Sequence, residues 1–436
     1  MASRKADLSV GYAESIEYLY SIGNEILSMK LGLDAIRELC GELGNPQERF
    51  PAIHIAGTNG KGSTAAMVES VLRAAGIRTG IYISPHLVSI TERIRVDGEM
   101  IPPEDFARLA TRVRTAGERL HREGRVRTIP TFFEQITAIG YLWLAEQQVE
   151  LAVLEVGMGG RLDATNICHP VVTAITPVGL DHQQYLGSTI AAIAGEKAGI
   201  IKPGIPVVVA PQEAAARAVI AARATELDAP LIEGEVTSEL VGRRPDLRQC
   251  ATFHAPSGRY TLEMALRGDH QRLNAATAIS IVDLLRHRGW EIGAEAVVTG
   301  LEKTCWPGRL DLRTGPAGLP FLIDGAHNIA GVEVLSDFLI DYCAGRPLSL
   351  IFGAMRDKDL TAMTRRLFPL FAQVILTGID SPRALDPAEI DAPSGVERVK
   401  HLPAALELAA RLTPPEGLVV VAGSLYLAGE VLAHLG

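Results

Sequence analysis

The apolar positions of the chain change period repeatedly, and between residues 51 and 211 they do so in alternation. Short, mostly apolar segments occupy 52–56, 78–84, 151–156, 171–176 and 205–210. Runs of that length, rich in Val and Ile and bounded by Gly or Pro, predict strands buried on both faces. Segments 63–75, 103–118, 133–147 and 190–198 instead place apolar residues at helical spacing. Strand and helix in succession predict a mostly parallel sheet covered on both sides. The texture shifts over 231–267, where 251–254 and 259–266 flank Ala255-Pro256-Ser257-Gly258 and predict an antiparallel hairpin. Helices are expected at 271–287 and 294–303. A second alternating block follows Trp306-Pro307-Gly308-Arg309, with strands at 320–324, 348–352, 373–376 and 417–422 and a helix at 330–342. The 56 residues before Gly57 read as helices, as at 12–19 and 33–43.

Bulk properties narrow the classes. A chain of 436 residues exceeds one ordinary core, so two or three domains are expected. Hydrophobic residues make up 47% and charged residues 21%, a packed globular balance. The net charge of -9 argues against a nucleic-acid or anionic-membrane partner, which would need a basic footprint. Five scattered cysteines without a CxxC spacing argue against a disulfide framework or a zinc site. The first residues lead into no apolar stretch, and no run approaches a membrane span, so a cytoplasmic protein is expected.

The first strand enters Gly57-Thr58-Asn59-Gly60-Lys61-Gly62-Ser63-Thr64 and a helix follows. Glycines let several backbone N–H groups face one anion, the helix N-terminus adds its positive end, and Lys61 reaches the outer phosphates. The strict phosphate-loop pattern wants glycine where Ile55 stands, and Gly62 separates Lys61 from Ser63. A tight strand-to-helix turn without a ligand is the alternative. The expected fold is α/β, with a P-loop-containing sheet domain carrying a small antiparallel insertion over 1–303 and a smaller Rossmann-like domain over 304–436.

Open parallel sheets bind ligands beyond the carboxyl ends of their strands. Those ends carry Ser84-Pro85-His86, Glu155 before Gly157-Met158-Gly159-Gly160, and Asp181-His182. Glu155 closes a buried run, so it needs a cation, a donor or a raised pKa. With Ser84 it suits Mg²⁺, a hard ion that takes oxygen ligands. A carboxylate satisfied by glycine-turn N–H groups is the other reading, as a satisfied core histidine is for His182. In the second block, Asp324-Gly325-Ala326-His327-Asn328, the loop 353–359 and Gly423-Ser424-Leu425-Tyr426 end strands. Their mixed charges would hold a zwitterionic amino acid, or else lie solvated.

Together these motifs, with Gly195-Glu196-Lys197-Ala198-Gly199, resemble the folylpolyglutamate synthase/dihydrofolate synthase family of Mur-ligase-like ATP-dependent amide ligases. The resemblance runs from about residue 18 to the C-terminus. It implies that a substrate carboxylate takes the γ-phosphoryl group of ATP and that L-glutamate's amine displaces phosphate from the acyl phosphate. It assigns ATP contacts to Thr58, Asn59, Gly60, Lys61, Gly62, Ser63, Asn274, Arg309 and Asp324. Ser84, Glu155 and His182 match ligands of two Mg²⁺ ions, and Lys197 matches a carbamylated lysine; Lys61, Glu155, His182 and Lys197 are the expected catalytic groups. Ser28, Met29, Lys30, Leu31, Thr131, Phe132, Phe133, Glu134, Leu162, Asp163 and Ala164 match the pterin pocket, with Asp163 accepting from the pterin and Phe132 or Phe133 packing on its ring. His327 and Ser424 belong to the glutamate pocket. Dihydropteroate, reduced folates and L-glutamate are the implied substrates of a monomeric enzyme.

Two rivals stand beside this reading. A ligase for UDP-muramyl precursors commonly carries a UDP-binding domain ahead of its phosphate loop, and 56 residues leave little room for one. A non-catalytic nucleotide switch would need no amino-acid pocket.

Overall fold

The computed structural model describes residues 11–23, 32–356 and 358–435. The first sheet comprises β1 (Ala52–Ala56), β2 (Thr79–Tyr82), β3 (Ile94–Val96), β4 (Glu99–Met100), β5 (Leu151–Glu155), β6 (Pro170–Ile175), β7 (Val207–Val209) and β8 (Leu231–Glu233). Their spatial order is β4-β3-β2-β5-β1-β6-β7-β8. The strands from β2 to β8 in that order run parallel, while β3 and β4 pair antiparallel at the edge. Both faces are covered, and the strands show it residue by residue. On β5, Leu151 and Val153 enter one core while Ala152 and Leu154 enter the other. Alternate side chains of a strand point to opposite faces, so a continuous apolar run is what a doubly covered strand requires.

The chain passes from β1 outward to β2, back to β5 beside β1, and then across β1 to β6. The direction of winding therefore reverses around β1, which opens a crevice at its carboxyl end. Helices Tyr12–Ser21, Asp34–Glu42, Pro103–Arg122 and Phe132–Glu146 cover one face. The opposite face is covered by Lys61–Ala74, Asp269–His287 and Ala294–Lys303, together with a small antiparallel sheet.

That small sheet holds β9 (Thr237–Arg243), β10 (Gln249–Ala255) and β11 (Gly258–Met264) in the order β11-β10-β9. The hairpin expected from the sequence is present, with a third strand added to it. β9 is exposed apart from two half-buried positions, so it lacks the apolar signal of its neighbours. The edge pair β3–β4 escaped the sequence reading for a related reason: it is short, and β4 is exposed.

The second sheet comprises β12 (Asp311–Thr314), β13 (Pro320–Ile323), β14 (Leu348–Phe352), β15 (Gln373–Thr377), β16 (Glu397–Val399) and β17 (Leu418–Ala422). Its order is β12-β13-β17-β14-β15-β16, parallel apart from β12. Leu418, Val420 and Ala422 of β17 face one core, and Val419 and Val421 the other. The two sheets present the carboxyl ends of their central strands to one cleft.

The helix Ala294–Lys303 lies against Lys61–Ala74, the helix that carries the phosphate loop. Their approach is close at Gly300, where a Cβ would fall 2.5 Å from Val71 Cα. Ser70 Oγ donates to the Gly300 carbonyl at 2.7 Å across the same contact. Gly300→Ala is expected to destabilise the fold by about 1–3 kcal/mol, the usual cost of overpacking. A urea midpoint equal to that of the parent protein would show that the two helices do not approach as described.

Candidate active site

The cleft encloses about 500 Å³ and draws its lining from both α/β units. At its floor is the turn after β1. Gly60 sits at φ 88°, and a Cβ there would come 2.4 Å from Asn274 Oδ1. Glycine is therefore required both by conformation and by the approach of Asn274. The main-chain N–H groups of Thr58 and Asn59 donate to Pro177 O at 3.0 and 3.3 Å. These two residues brace the turn against the loop after β6, although both line the cleft. The donors that open the helix Lys61–Ala74 belong to Lys61, Gly62 and Ser63, which have no acceptor one turn earlier in the helix. They, with the helix dipole, form the anion-binding end.

Two ammonium groups meet beside this turn. Lys61 Nζ donates to Gly57 O and Thr58 O, both at 3.1 Å. Lys197 Nζ donates to the same Gly57 O at 2.8 Å. Lys197 is buried, and burial, reinforced by Lys61, lowers its pKa to about 7. Glu155, also buried, ends β5 and accepts from the Ser84 N–H at 3.3 Å. Ser84 and Glu155 are thus neighbours facing the cleft, as the sequence suggested. His182 lines the cleft at φ 51°, its Nε2 4.0 Å from Asp181 Oδ2. Burial lowers the His182 pKa, and Asp181 opposes that effect.

Asp181 joins the two units. Asn328 Nδ2 donates to it at 3.1 Å, Lys358 Nζ lies at 3.4 Å and His327 Nε2 at 3.9 Å. Burial pushes the Asp181 carboxyl upward, but His182, Lys358, His327 and Asn328 together hold it well below the ordinary carboxylate range. Asn328 also meets Asn59 Oδ1 at 3.4 Å and caps the helix Ile329–Tyr342 by accepting from Gly331 N–H at 2.8 Å. Asp324 accepts from the N–H groups of Leu310 and Ala326 at 2.9 and 2.8 Å. Burial raises its pKa while Arg309 works against the rise. His327 Nδ1 donates to Gly325 O at 2.8 Å, and burial lowers its pKa to about 4. Ser424 is buried and caps the next helix turn, its Oγ accepting from Tyr426 N–H at 3.1 Å.

Of the residues expected in the pterin pocket, Ser28, Met29, Lys30 and Leu31 lie outside the described residues. Thr131 and Glu134 close a capping box at the start of Phe132–Glu146 and also line the cleft. Phe133 faces the cleft, whereas Phe132 does not: it is buried in the core, stacked on Tyr20 with ring centroids 5.5 Å apart. Successive helical residues point about 100° apart, so only one of the pair can face a ligand. Leu162, Asp163 and Ala164 line the cleft. Asp163 is buried and accepts from Met158 N–H at 2.9 Å and Thr165 N–H at 3.0 Å. In the loop after β14, Arg356 turns outward to Glu389 at 2.8 Å and Asp359 caps Leu360–Leu367, while Met355 and the charged Lys358 line the cleft.

His270, Gln271 and Arg383 line the cleft without having been singled out in the sequence. Gln271 was within reach, because it stands three residues before Asn274 on one helix and donates to Ser63 Oγ at 3.2 Å. Arg383 is carried on a loop that Arg356 N–H and Ala384 tie to the loop after β14, a contact between distant segments.

A phosphate-binding turn, an acidic strand end and a second α/β unit closing over both define an ATP-dependent ligase of the Mur type. Residues 55–282 match the Mur ligase middle domain, and residues 308–425 match the Mur ligase, glutamate ligase domain. Within that class the chain belongs to the folylpolyglutamate synthase/dihydrofolate synthase family. It is 37% identical to the folylpolyglutamate synthase of Lacticaseibacillus casei, with 97% of this chain and 98% of that protein covered. It is 35% identical to the dihydrofolate synthase/folylpolyglutamate synthase of Bacillus subtilis, over 93% of this chain and 95% of the relative. The structure of Mycobacterium tuberculosis folylpolyglutamate synthase complexed with ADP superposes with a TM-score of 0.89 at 32% identity, covering 98% of each chain.

The state of Lys197 has a measurable consequence. Its folded pKa of about 7 lies below that of an unfolded lysine. Between the two values the unfolded chain binds more protons, so this group makes stability rise with pH above about 7, by about 1 kcal/mol per pH unit. In bicarbonate-free buffer, Lys197→Met should flatten that rise relative to the parent in urea unfolding. Parallel pH profiles of the two proteins would show that Lys197 is not held neutral.

Proposed function

We propose that the chain joins L-glutamate to dihydropteroate and to reduced folates, converting ATP to ADP and phosphate. One observation carries the reading: a single cleft places a helix-end phosphate turn and a buried strand-end carboxylate opposite His327, Lys358 and Ser424 of the second unit. The substrate carboxylate attacks the γ-phosphorus, forming an acyl phosphate and ADP. The glutamate amine then attacks the acyl carbon, loses a proton and expels phosphate. Positioning and charge neutralisation supply most of the acceleration.

Gly60, Lys61, Gly62 and Ser63 hold the phosphates, braced by Thr58 and Asn59. Asn274, Arg309 and Asp324 contact the remainder of ATP, so closure of the second unit completes the nucleotide site. Among the described residues no three His, Cys, Asp or Glu side chains gather into a metal cage. The oxygens of Glu155 and Ser84 nonetheless suit Mg²⁺, which keeps waters and takes phosphate oxygens instead of a full protein cage. Glu155, Ser84 and His182 would hold two such ions, whose bound charge offsets the charge of the phosphate oxygens. Lys197, with a pKa near neutral, is available as a free amine for carbamylation, which would put an anion beside Lys61. Leu162, Asp163, Ala164 and Phe133 receive the pterin, and His327 and Ser424 receive glutamate. The protein is read as a cytoplasmic monomer.

Purified protein with Mg-ATP and L-glutamate should release phosphate only when dihydropteroate or a reduced folate is added. Release that ignores the pterin, or that answers to a UDP-muramyl substrate, would overturn the reading. Glu155→Gln should lower turnover at least about 100-fold, the scale of losing a main electrostatic contact. Its melting temperature should stay within about 4 °C of the parent. Full turnover in this variant would remove Glu155 from the metal site.

A further inference from the structure

β1 is buried along its whole length, and four of its five residues are Ala or Ile. The fifth is His54, which is 0% exposed. Burying an imidazole costs more than burying a leucine of similar volume, unless its polar atoms do something specific. Nε2 of His54 lies 2.8 Å from Thr165 Oγ1, and Thr165 Oγ1 lies 2.5 Å from Asp163 Oδ1. The same Oδ1 accepts from Thr165 N–H, while Oδ2 accepts from Met158 N–H. A hydroxyl has one proton to give. With that proton given to the carboxylate, Thr165 Oγ must accept from His54, so Nε2 carries the imidazole hydrogen. Nδ1 is then a bare lone pair, and it has no hydrogen-bond partner among the described residues.

The loop does not need His54 to keep its backbone in place. Tyr141 Oη donates to Thr165 O at 2.8 Å. Lys202 Nζ holds Asn166 Oδ1 at 2.7 Å, and Asn166 Nδ2 donates to Arg161 O and Gly199 O at 2.9 and 3.1 Å. What His54 adds is the direction of one rotor, the Thr165 hydroxyl. That hydroxyl in turn fixes which lone pairs of Asp163 are occupied. The Thr165 hydroxyl and N–H bond Oδ1, Met158 N–H bonds Oδ2, and the Gly157 N–H also acts on the carboxylate, so its orientation is held from several sides. Asp163 and its neighbours Leu162 and Ala164 line the cleft, so the carboxylate held in that orientation is what a ligand there meets.

We propose that His54 is a positioning residue for the pterin substrate: through the Thr165 hydroxyl it fixes the orientation of the Asp163 carboxylate that meets a heterocycle bearing an amino group beside a ring N–H. The inference rests on the ligase reading and names a determinant of its substrate site. A core histidine that merely filled space would show no preference between the two substrates of the first step.

The test compares His54→Leu, which fills the space without a donor, with His54→Gln, whose amide N–H can take the place of Nε2–H. Steady-state phosphate release is measured against dihydropteroate and against ATP. His54→Leu should raise KM for dihydropteroate about tenfold or more, the scale of a buried hydrogen bond. KM for ATP should stay within about twofold, and His54→Gln should recover most of the loss. Thr165→Val should reproduce His54→Leu, and the double variant should be no worse than either single one, because both break the same chain. Equal rises in both KM values, a His54→Gln protein as impaired as His54→Leu, or additive singles would overturn the proposal. A ¹⁵N spectrum of the unaltered protein tests it without any substitution: the His54 ring should be a neutral Nε2–H tautomer whose signals move when dihydropteroate is added. Signals that stay fixed while dihydropteroate binds would also overturn it. If the unaltered protein releases no phosphate with dihydropteroate, the ligase reading itself fails; an active parent with an unchanged His54→Leu removes this proposal alone.

Discussion

Two lysine amino groups, those of Lys61 and Lys197, share the carbonyl of Gly57 at the floor of a largely buried cleft. Like charges brought together away from water repel strongly, and neither group can be fully solvated there. Much of the site answers this concentration of charge. Lys197 meets it by losing affinity for its proton. The helix N-terminus adds more positive potential at the same point, which makes a polyphosphate the natural occupant. Glu155 and Asp181 supply the opposing charge from the ends of β5 and the loop after β6, and neither carboxylate would be tolerable in that depth without the cations.

This electrostatic arrangement depends on the reversal of winding around β1. Because β5 and β6 flank the same strand, the loops that carry Glu155, Asp181 and His182 open on the phosphate turn without any long excursion. The second sheet uses the same rule, sending Asp324, Lys358 and Ser424 from the ends of adjacent parallel strands. Two units that each place polar residues at strand ends can face one another across a single cleft, and the reaction assigned to it needs groups from both.

The parts of this arrangement that were legible in the sequence are local. A continuous apolar run announces a doubly covered strand, and a glycine-rich turn with one lysine announces an anion site, so the central strands and the residues from Gly57 to Ser63 could be read directly. β9 and β4 were not legible, because exposed edge strands lack the apolar pattern that marks buried ones, and β3 is buried but only three residues long. Phe132 and Phe133 were indistinguishable as a pair. The capping box Thr131-x-x-Glu134 could have separated them by fixing the helix start and therefore the facing of each ring. The outward turn of Arg356 toward Glu389 and the placement of Arg383 in the cleft rest on contacts between segments far apart in the chain, which no local pattern encodes.

Asn328 does two things with one side chain: it begins the helix Ile329–Tyr342 and it touches Asp181 and Asn59 of the other unit. Its Oδ1 is held by Gly331 within the second unit, which leaves Nδ2 directed at the first. Moving the second unit away breaks the two Nδ2 contacts while the cap travels with its helix. Such a joint holds the closed setting through short-range contacts made by a side chain whose direction is already fixed. It would keep an activated acyl group from meeting water during the interval when only one of the two reactants is in place.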